Sequence, residues 1–187
     1  RLLESTDAAG QKTRYEYDDA GRQTAEVDAL NHRSETEYDA AGRRKLVRDA
    51  LLRETKFEYD ALGRQVKTVF ADATFTSTEY NTVGQRIAET DQNGGTRNFE
   101  YDLSGRLTAV VLPQVNDPET GQNVRPRYEY TYDIYGNQST IKDPKGRVTT
   151  FTFDERNRQL TRSLPLGQTE SQSFNAFVQL AFKLDFK

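Results

Sequence analysis

Apolar and polar positions alternate with a period of two along much of the chain. Phe57-Glu58-Tyr59, Phe99-Glu100-Tyr101, Tyr128-Glu129-Tyr130-Thr131-Tyr132 and Phe151-Thr152-Phe153 put rings on one side of an extended segment and Glu or Thr on the other. Strict alternation with aromatic and β-branched residues predicts half-buried strands. A helix is disfavoured because Gly and Thr recur inside every candidate window. Each such run ends in a turn signal, Asp-x-x-Gly. There the carboxylate can accept backbone N–H bonds and the glycine tolerates positive φ.

These pieces repeat. The pattern aromatic-Asp-x-x-Gly-Arg appears as Tyr17-Asp18-x-x-Gly21-Arg22, Tyr38-Asp39-x-x-Gly42-Arg43, Tyr59-Asp60-x-x-Gly63-Arg64 and Tyr101-Asp102-x-x-Gly105-Arg106. Weaker copies begin at Tyr80, Tyr132, Phe153 and Phe174, so the lead aromatics are separated by 21, 21, 21, 21, 31, 21 and 21 residues. A second turn lies half a period away: Asp7-Ala-Ala-Gly10, Asp28-Ala-Leu-Asn31, Asp91-Gln-Asn-Gly94, Asp143-Pro-Lys-Gly146 and, less well formed, Asp49-Ala-Leu-Leu52. Each period therefore predicts a β-hairpin. The whole of residues 1–187 reads as one array of about eight hairpins and about sixteen strands in an all-β antiparallel meander. A sheet that wide is expected to curl, split or close.

The packing expected from the pattern has two sides. Rings at the lead position and two residues before it form rows on one face, while Glu16, Glu37, Glu58, Glu79 and Glu100 form rows on the other. Intervening strands carry Arg43, Arg44, Lys45, Lys67 and Arg86, expected to offset those carboxylates across strands in a solvated face. The ten-residue excess between the fifth and sixth copies, around Pro113–Pro126, predicts a protruding loop at one sheet edge.

Composition narrows the function. Charged residues make up 29% and hydrophobic residues 34%, which would fit disorder were there not ten Tyr and ten Phe. No apolar run approaches a membrane span, and no charged-then-apolar leader marks a signal peptide. A formal net charge of -3 offers no electrostatic case for nucleic acid. The absence of Cys removes disulfides, thiolate nucleophiles and Cys-based zinc sites. With no Met, and Arg1 opening in mid-pattern, the chain is expected to be a piece of a longer polypeptide with flanking repeats.

The Tyr-Asp-x-x-Gly-Arg period resembles the YD repeat of RHS proteins, Tc-toxin shell subunits and teneurins, over essentially the whole chain. That resemblance implies a β-sheet strip that curves or spirals into part of a hollow shell. In bacterial RHS and Tc systems the shell encloses a toxic C-terminal segment of the same or a partner polypeptide. It therefore implies a structural, non-enzymatic wall, with flanking repeats and an enclosed cargo polypeptide as partners, in a secreted or cell-surface bacterial protein. Eight repeats are too few by this analogy to close a cocoon. The self-cleavage motif of bacterial RHS shells is not visible, so self-release and toxicity are not carried over. The last copy has Val178 where the turn wants Gly, and residues 175–187 read as a divergent end.

Other candidate chemistry is thin. His32, the one histidine, has no Cys or second His to build a metal site or triad, and reads as a turn residue. Asp18, Asp39, Asp60, Asp102, Asp133 and Asp154 match no calcium-loop spacing and read as turn caps. Carboxylates such as Glu16 with Asp18 recur in copy after copy, against the two unlike environments a glycosidase needs. Gly94-Gly95 lacks the Lys-Ser/Thr of a phosphate loop, and Asn137-Gln138-Ser139 fits a glycosylation acceptor. No cofactor or metal is expected. The residues expected to matter are structural: Tyr17, Tyr38, Tyr59 and Tyr101 as packed rows, with the Asp, Gly and Arg of their turns as punctuation. Two rival readings remain open here. One is an extracellular adhesin or carbohydrate-binding module using the aromatic face or the 113–126 loop. The other is self-assembly through open strand edges into fibres or rings.

Overall fold

The computed structural model describes residues 1–175 and 180–185, among which there is no helix. The turn position Val178 lies outside the described residues, as do the rest of residues 176–179 and residues 186–187 of the expected divergent end. The chain divides into two compact units, Arg1–Glu79 with Glu89–Gly94, and Tyr80–Ala88 with Gly95–Lys187.

In the first unit β1 (Glu4–Thr6), β2 (Lys12–Tyr17), β3 (Gln23–Val27), β4 (Arg33–Tyr38), β5 (Arg44–Arg48), β6 (Glu54–Tyr59), β7 (Gln65–Val69) and β8 (Phe75–Tyr80) pair consecutively and antiparallel. β9 (Arg86–Thr90) contributes residues to both units. The second unit repeats the meander through β10 (Thr96–Tyr101) and β11 (Leu107–Val111), then β14 (Arg127–Tyr132), β15 (Gln138–Lys142), β16 (Val148–Phe153), β17 (Gln159–Ser163), β18 (Thr169–Phe174) and β19 (Leu180–Leu184). The Pro113–Pro126 insertion replaces one second turn, between β11 and β14. It folds into a ribbon of β12 (Val115–Asn116) against β13 (Asn123–Val124).

Both kinds of turn share one geometry. At Asp60 the backbone N–H donates to Arg64 O at 3.0 Å, and Gly63 N–H donates back to Asp60 O at 3.0 Å. Gly63 stands at φ 82°. This is the five-residue hairpin of a type I turn followed by a left-handed residue. Two further second turns, Phe70–Ala73 and Leu164–Gly167, have the same bonds without a leading Asp, so the Asp-x-x-Gly signal does not find them. Hairpins closed by the aromatic-Asp turn also carry a register shift before the lead ring, as between Glu58 and Tyr59. The shift between Glu37 and Tyr38 lies opposite Arg44, whose guanidinium carbon stands 5.6 Å from the Phe57 ring centroid; that of Arg86 stands 4.5 Å from the Phe99 centroid.

The two faces are as the alternation predicts: along β2, Lys12, Arg14 and Glu16 are exposed while Thr13, Tyr15 and Tyr17 are half-buried. Apart from Phe99, the rings are not the deepest residues. The buried hydrophobic residues are Ala25, Leu46, Ala88, Phe99 and Ala109. Ala25 stands directly across from both Glu16 and Glu35, and Ala109 from both Glu100 and Glu129. They lie beneath ion pairs that arch over a whole strand. Arg33 Nη2 reaches Glu16 Oε2 at 2.8 Å across β3, and Arg127 Nη2 reaches Glu100 Oε2 at 2.8 Å across β11. Of the cations expected to offset the Glu rows, Arg43, Arg44, Lys45, Lys67 and Arg86, Lys67 meets Glu58 at 3.6 Å. Further pairs use Lys12, Arg33, Arg48, Lys56, Arg127 and Lys142. Arg44 and Arg86 are turned to the aromatic side, and Arg43 is held in its turn.

A Gly63→Val variant is expected to lose more than about 1 kcal/mol, because a β-branched residue must enter the left-handed region. Urea unfolding of the two proteins checks this; an unchanged midpoint contradicts the turn geometry.

Candidate functional site

The described residues form no group of three or more His, Cys, Asp or Glu placed to hold a metal. The feature that recurs with the sequence period is a lattice along the aromatic-Asp turns. Asp39 Oδ1 accepts from the N–H groups of Ala41 and Arg43 at 2.9 Å, and its Oδ2 accepts from Arg43 Nε at 2.7 Å. The carboxylate thus satisfies the turn backbone with one oxygen and orients the arginine with the other. Asp18 holds Arg22, Asp60 holds Arg64, Asp102 holds Arg106 and Asp154 holds Arg158 through the same atoms.

The arginine so held reaches the next repeat. Arg22, Arg43 and Arg106 lie over the rings of Tyr38, Tyr59 and Tyr132, with guanidinium carbons 4.7, 4.4 and 4.7 Å from the centroids. Lead tyrosines then donate their hydroxyls to backbone carbonyls of the preceding hairpin: Tyr38 to Gln23, Tyr59 to Arg44, Tyr101 to Arg86 and Tyr132 to Leu107, at 2.7–2.9 Å. Glycine has a second purpose here. A Cβ on Gly42 would lie 3.2 Å from Arg22 Nη1, so the turn leaves space for the preceding repeat's arginine. Arg22, Arg43 and Arg106 thus link their own turns to the lead rings of the next hairpins.

Weaker copies keep the links with other groups. Where Arg is replaced by Gln85, its amide donates to Gly105 O at 3.2 Å. Asn137 donates to Asp133 Oδ2 within its own turn and to Asn157 Oδ1 in the next, both at 2.9 Å. Asn157 is the residue that replaces that turn's glycine, at φ 60°. Where Phe174 lacks a hydroxyl, Gln172 donates instead to Gln159 O at 2.7 Å. These substitutes lie outside the consensus letters, and only a repeat-by-repeat superposition could have flagged them.

The other candidates resolve the same way. His32 takes the arginine position, with Nδ1 2.8 Å from Asp28 Oδ2. Glu16 bonds Arg33 and Asp18 bonds Arg22, so that carboxylate pair is split between a face and a turn. The Asn137 amide nitrogen, where a glycan would be attached, is already the donor of two bonds. The insertion is tied down: Arg125 donates to Thr96 O and Asn98 Oδ1 at 2.9 and 2.7 Å, and Glu119 pairs with Lys145 at 3.0 Å.

Bonds from Arg43 and Arg158 side chains hold Asp39 and Asp154 below the usual carboxylate range, Asp154 at about 2. For Asp18 and Asp102 the first cause is the backbone N–H of Arg22 and Arg106. A carboxylate whose folded pKa is depressed contributes stability above its unfolded value, which is lost as pH falls through the folded value. The urea midpoint should therefore drop steadily as pH is lowered from about 5 to about 2, and Asp154→Asn should flatten the most acidic part of that curve. A midpoint insensitive to pH in that window contradicts the assignment.

Comparison with known proteins follows the same repeat. No curated protein matches the sequence. Among solved structures, a crystal structure of TcdB2-TccC3 aligns with a TM-score of 0.57 at 15% identity, covering 98% of this chain and 12% of that one. The Tc holotoxin pore of Photorhabdus luminescens, solved with a mutated TccC3, aligns with a TM-score of 0.52 at 16% identity, covering 99% of this chain and 13% of that one. The chain thus spans about an eighth of those chains, and at these identities the likeness is one of fold. The RHS repeat family matches residues 1–33, 35–74, 80–114 and 132–169, in step with the turn lattice, and the chain belongs to that family.

Proposed function

We propose that this chain is a stretch of wall in an RHS-type shell that encloses a polypeptide, acting by structure and not by catalysis. The observation that carries the reading is the link passed from repeat to repeat, in which the arginine of one turn is seated on the lead ring of the next. A lattice of this kind propagates a sheet for as many repeats as the polypeptide supplies, and each added hairpin finds the same bonds. Its residues are spent on joining strands. The fold shared with TcdB2-TccC3 and the Tc holotoxin pore supports the same reading. The partners are then flanking repeats and an enclosed cargo segment, in a secreted or cell-surface bacterial protein. No helix among the described residues is long and apolar enough to cross a membrane.

The test is limited proteolysis of the natural polypeptide that contains this stretch. A non-repeat segment should survive protease while the wall is folded, and be cut at the rate of the isolated segment once the wall is unfolded. Equal cleavage rates in the two states would remove the enclosing role.

A further inference from the structure

The insertion takes the place of a second turn, and a sibling turn shows what ordinarily stands there. The Asp28–Asn31 turn ends on Asn31, at φ 63° and two residues before Arg33. Arg33 stands across from Val27 and crosses β3 to Glu16. Arg127 is its counterpart: it stands across from Val111 and crosses β11 to Glu100. The counterpart of the turn residue Asn31 is then Arg125, two residues before Arg127. The longer connection frees that position from the turn.

Arg125 uses that freedom to reach back over the chain. Its Nε donates to Leu112 O at 3.3 Å, just past the end of β11. Its Nη2 donates to Thr96 O and Asn98 Oδ1 on β10. Asn98 and Glu100 are two apart on one face of β10, as Arg125 and Arg127 are two apart in sequence. A second rung thus lies beside the Arg127–Glu100 arch, nearer the second-turn edge. The rest of the insertion supports it. At the root Leu112 N–H donates to Pro126 O at 2.8 Å, and at the tip Gly121 N–H donates to Asp117 O at 2.8 Å. Glu119, at that tip, meets Lys145 of the next second turn at 3.0 Å, with both side chains largely exposed.

We propose that the insertion is a strap across the second-turn edge, with a fixed catch at Arg125 and a releasable one at Glu119–Lys145. The fixed catch gathers three acceptors, two of them backbone carbonyls, around one guanidinium. The releasable catch is a single exposed ion pair, which salt screens and which holds weakly. The strap joins β10, before the interrupted period, to the Asp143–Gly146 turn after it. Between ordinary second turns a single bond makes such a link, as where Gln92 Nε2 donates to Thr74 Oγ1 at 2.8 Å.

The experiment is hydrogen–deuterium exchange of the full chain, with limited proteolysis of residues 113–126. Arg125→Gln should speed exchange at residues 96–98 by about three- to tenfold, the scale of one or two hydrogen bonds near solvent. Residues 148–163 should keep their rates. Lys145→Gln, or roughly 0.5 M salt on the unaltered chain, should speed cleavage near Glu119 and leave residues 96–98 as they were. A further variant replaces residues 112–126 with the sequence of Asp143–Arg147, the chain's own short turn. It should keep β11 paired with β14 and show the faster exchange of Arg125→Gln at residues 96–98. Rates at residues 96–98 that Arg125→Gln leaves unchanged, or that rise equally over the whole sheet, would overturn the fixed catch. Cleavage near Glu119 indifferent to both Lys145→Gln and salt would overturn the releasable one.

Discussion

The arginine that follows the turn glycine of the consensus repeats is the joint on which the sheet depends. It is fixed by its own aspartate, stacked on the next repeat's lead ring, and accommodated by the next repeat's glycine. Each arginine–ring contact is worth only roughly 0.5–1 kcal/mol where solvent is near. Repetition is what makes it matter. The buried hydrophobic residues are few and mostly small, so cohesion here is carried along the sheet, from turn to turn and strand to strand, more than through a core. The low mean hydropathy of -0.89 is what such an arrangement requires.

Two features of the charged face follow from the same economy of apolar material. Ala25 and Ala109 are small enough for Arg33 and Arg127 to cross above them to Glu16 and Glu100. A bulky residue at either place would obstruct the arch. The long side chains in turn exclude water from the methyl groups beneath, which is how alanines come to be among the least exposed residues. Charge on this face is thus packing material as well as solubility.

Strands, turn positions and the two-faced character were legible in the sequence because period-two alternation and Asp-x-x-Gly are local signals. The turns at Phe70–Ala73 and Leu164–Gly167 were not, since their bonds run through the backbone and no leading Asp marks them. The consensus letters pointed to the right residues but not to their partners. Arg22 meets Tyr38 and Arg33 meets Glu16 at separations that nearest-strand reasoning does not connect. The direction of Arg44 was hidden for another reason: a bulge beside Tyr38 resets alternation there. The loop expected at 113–126 is a pinned ribbon because Arg125 finds acceptors on β10 that no local pattern announces.

A sheet made this way has a simple logic. Its joints recur with the period, Gln or an Asn pair takes the place of Arg in weaker copies, and each couples a hairpin to its successor. The most direct test of that coupling is a double-mutant cycle on Arg43→Gln and Tyr59→Leu, read by urea unfolding. The turn lattice predicts a coupling of about 0.5–1 kcal/mol between these residues of different repeats. Additive losses, with no coupling beyond error, would contradict it.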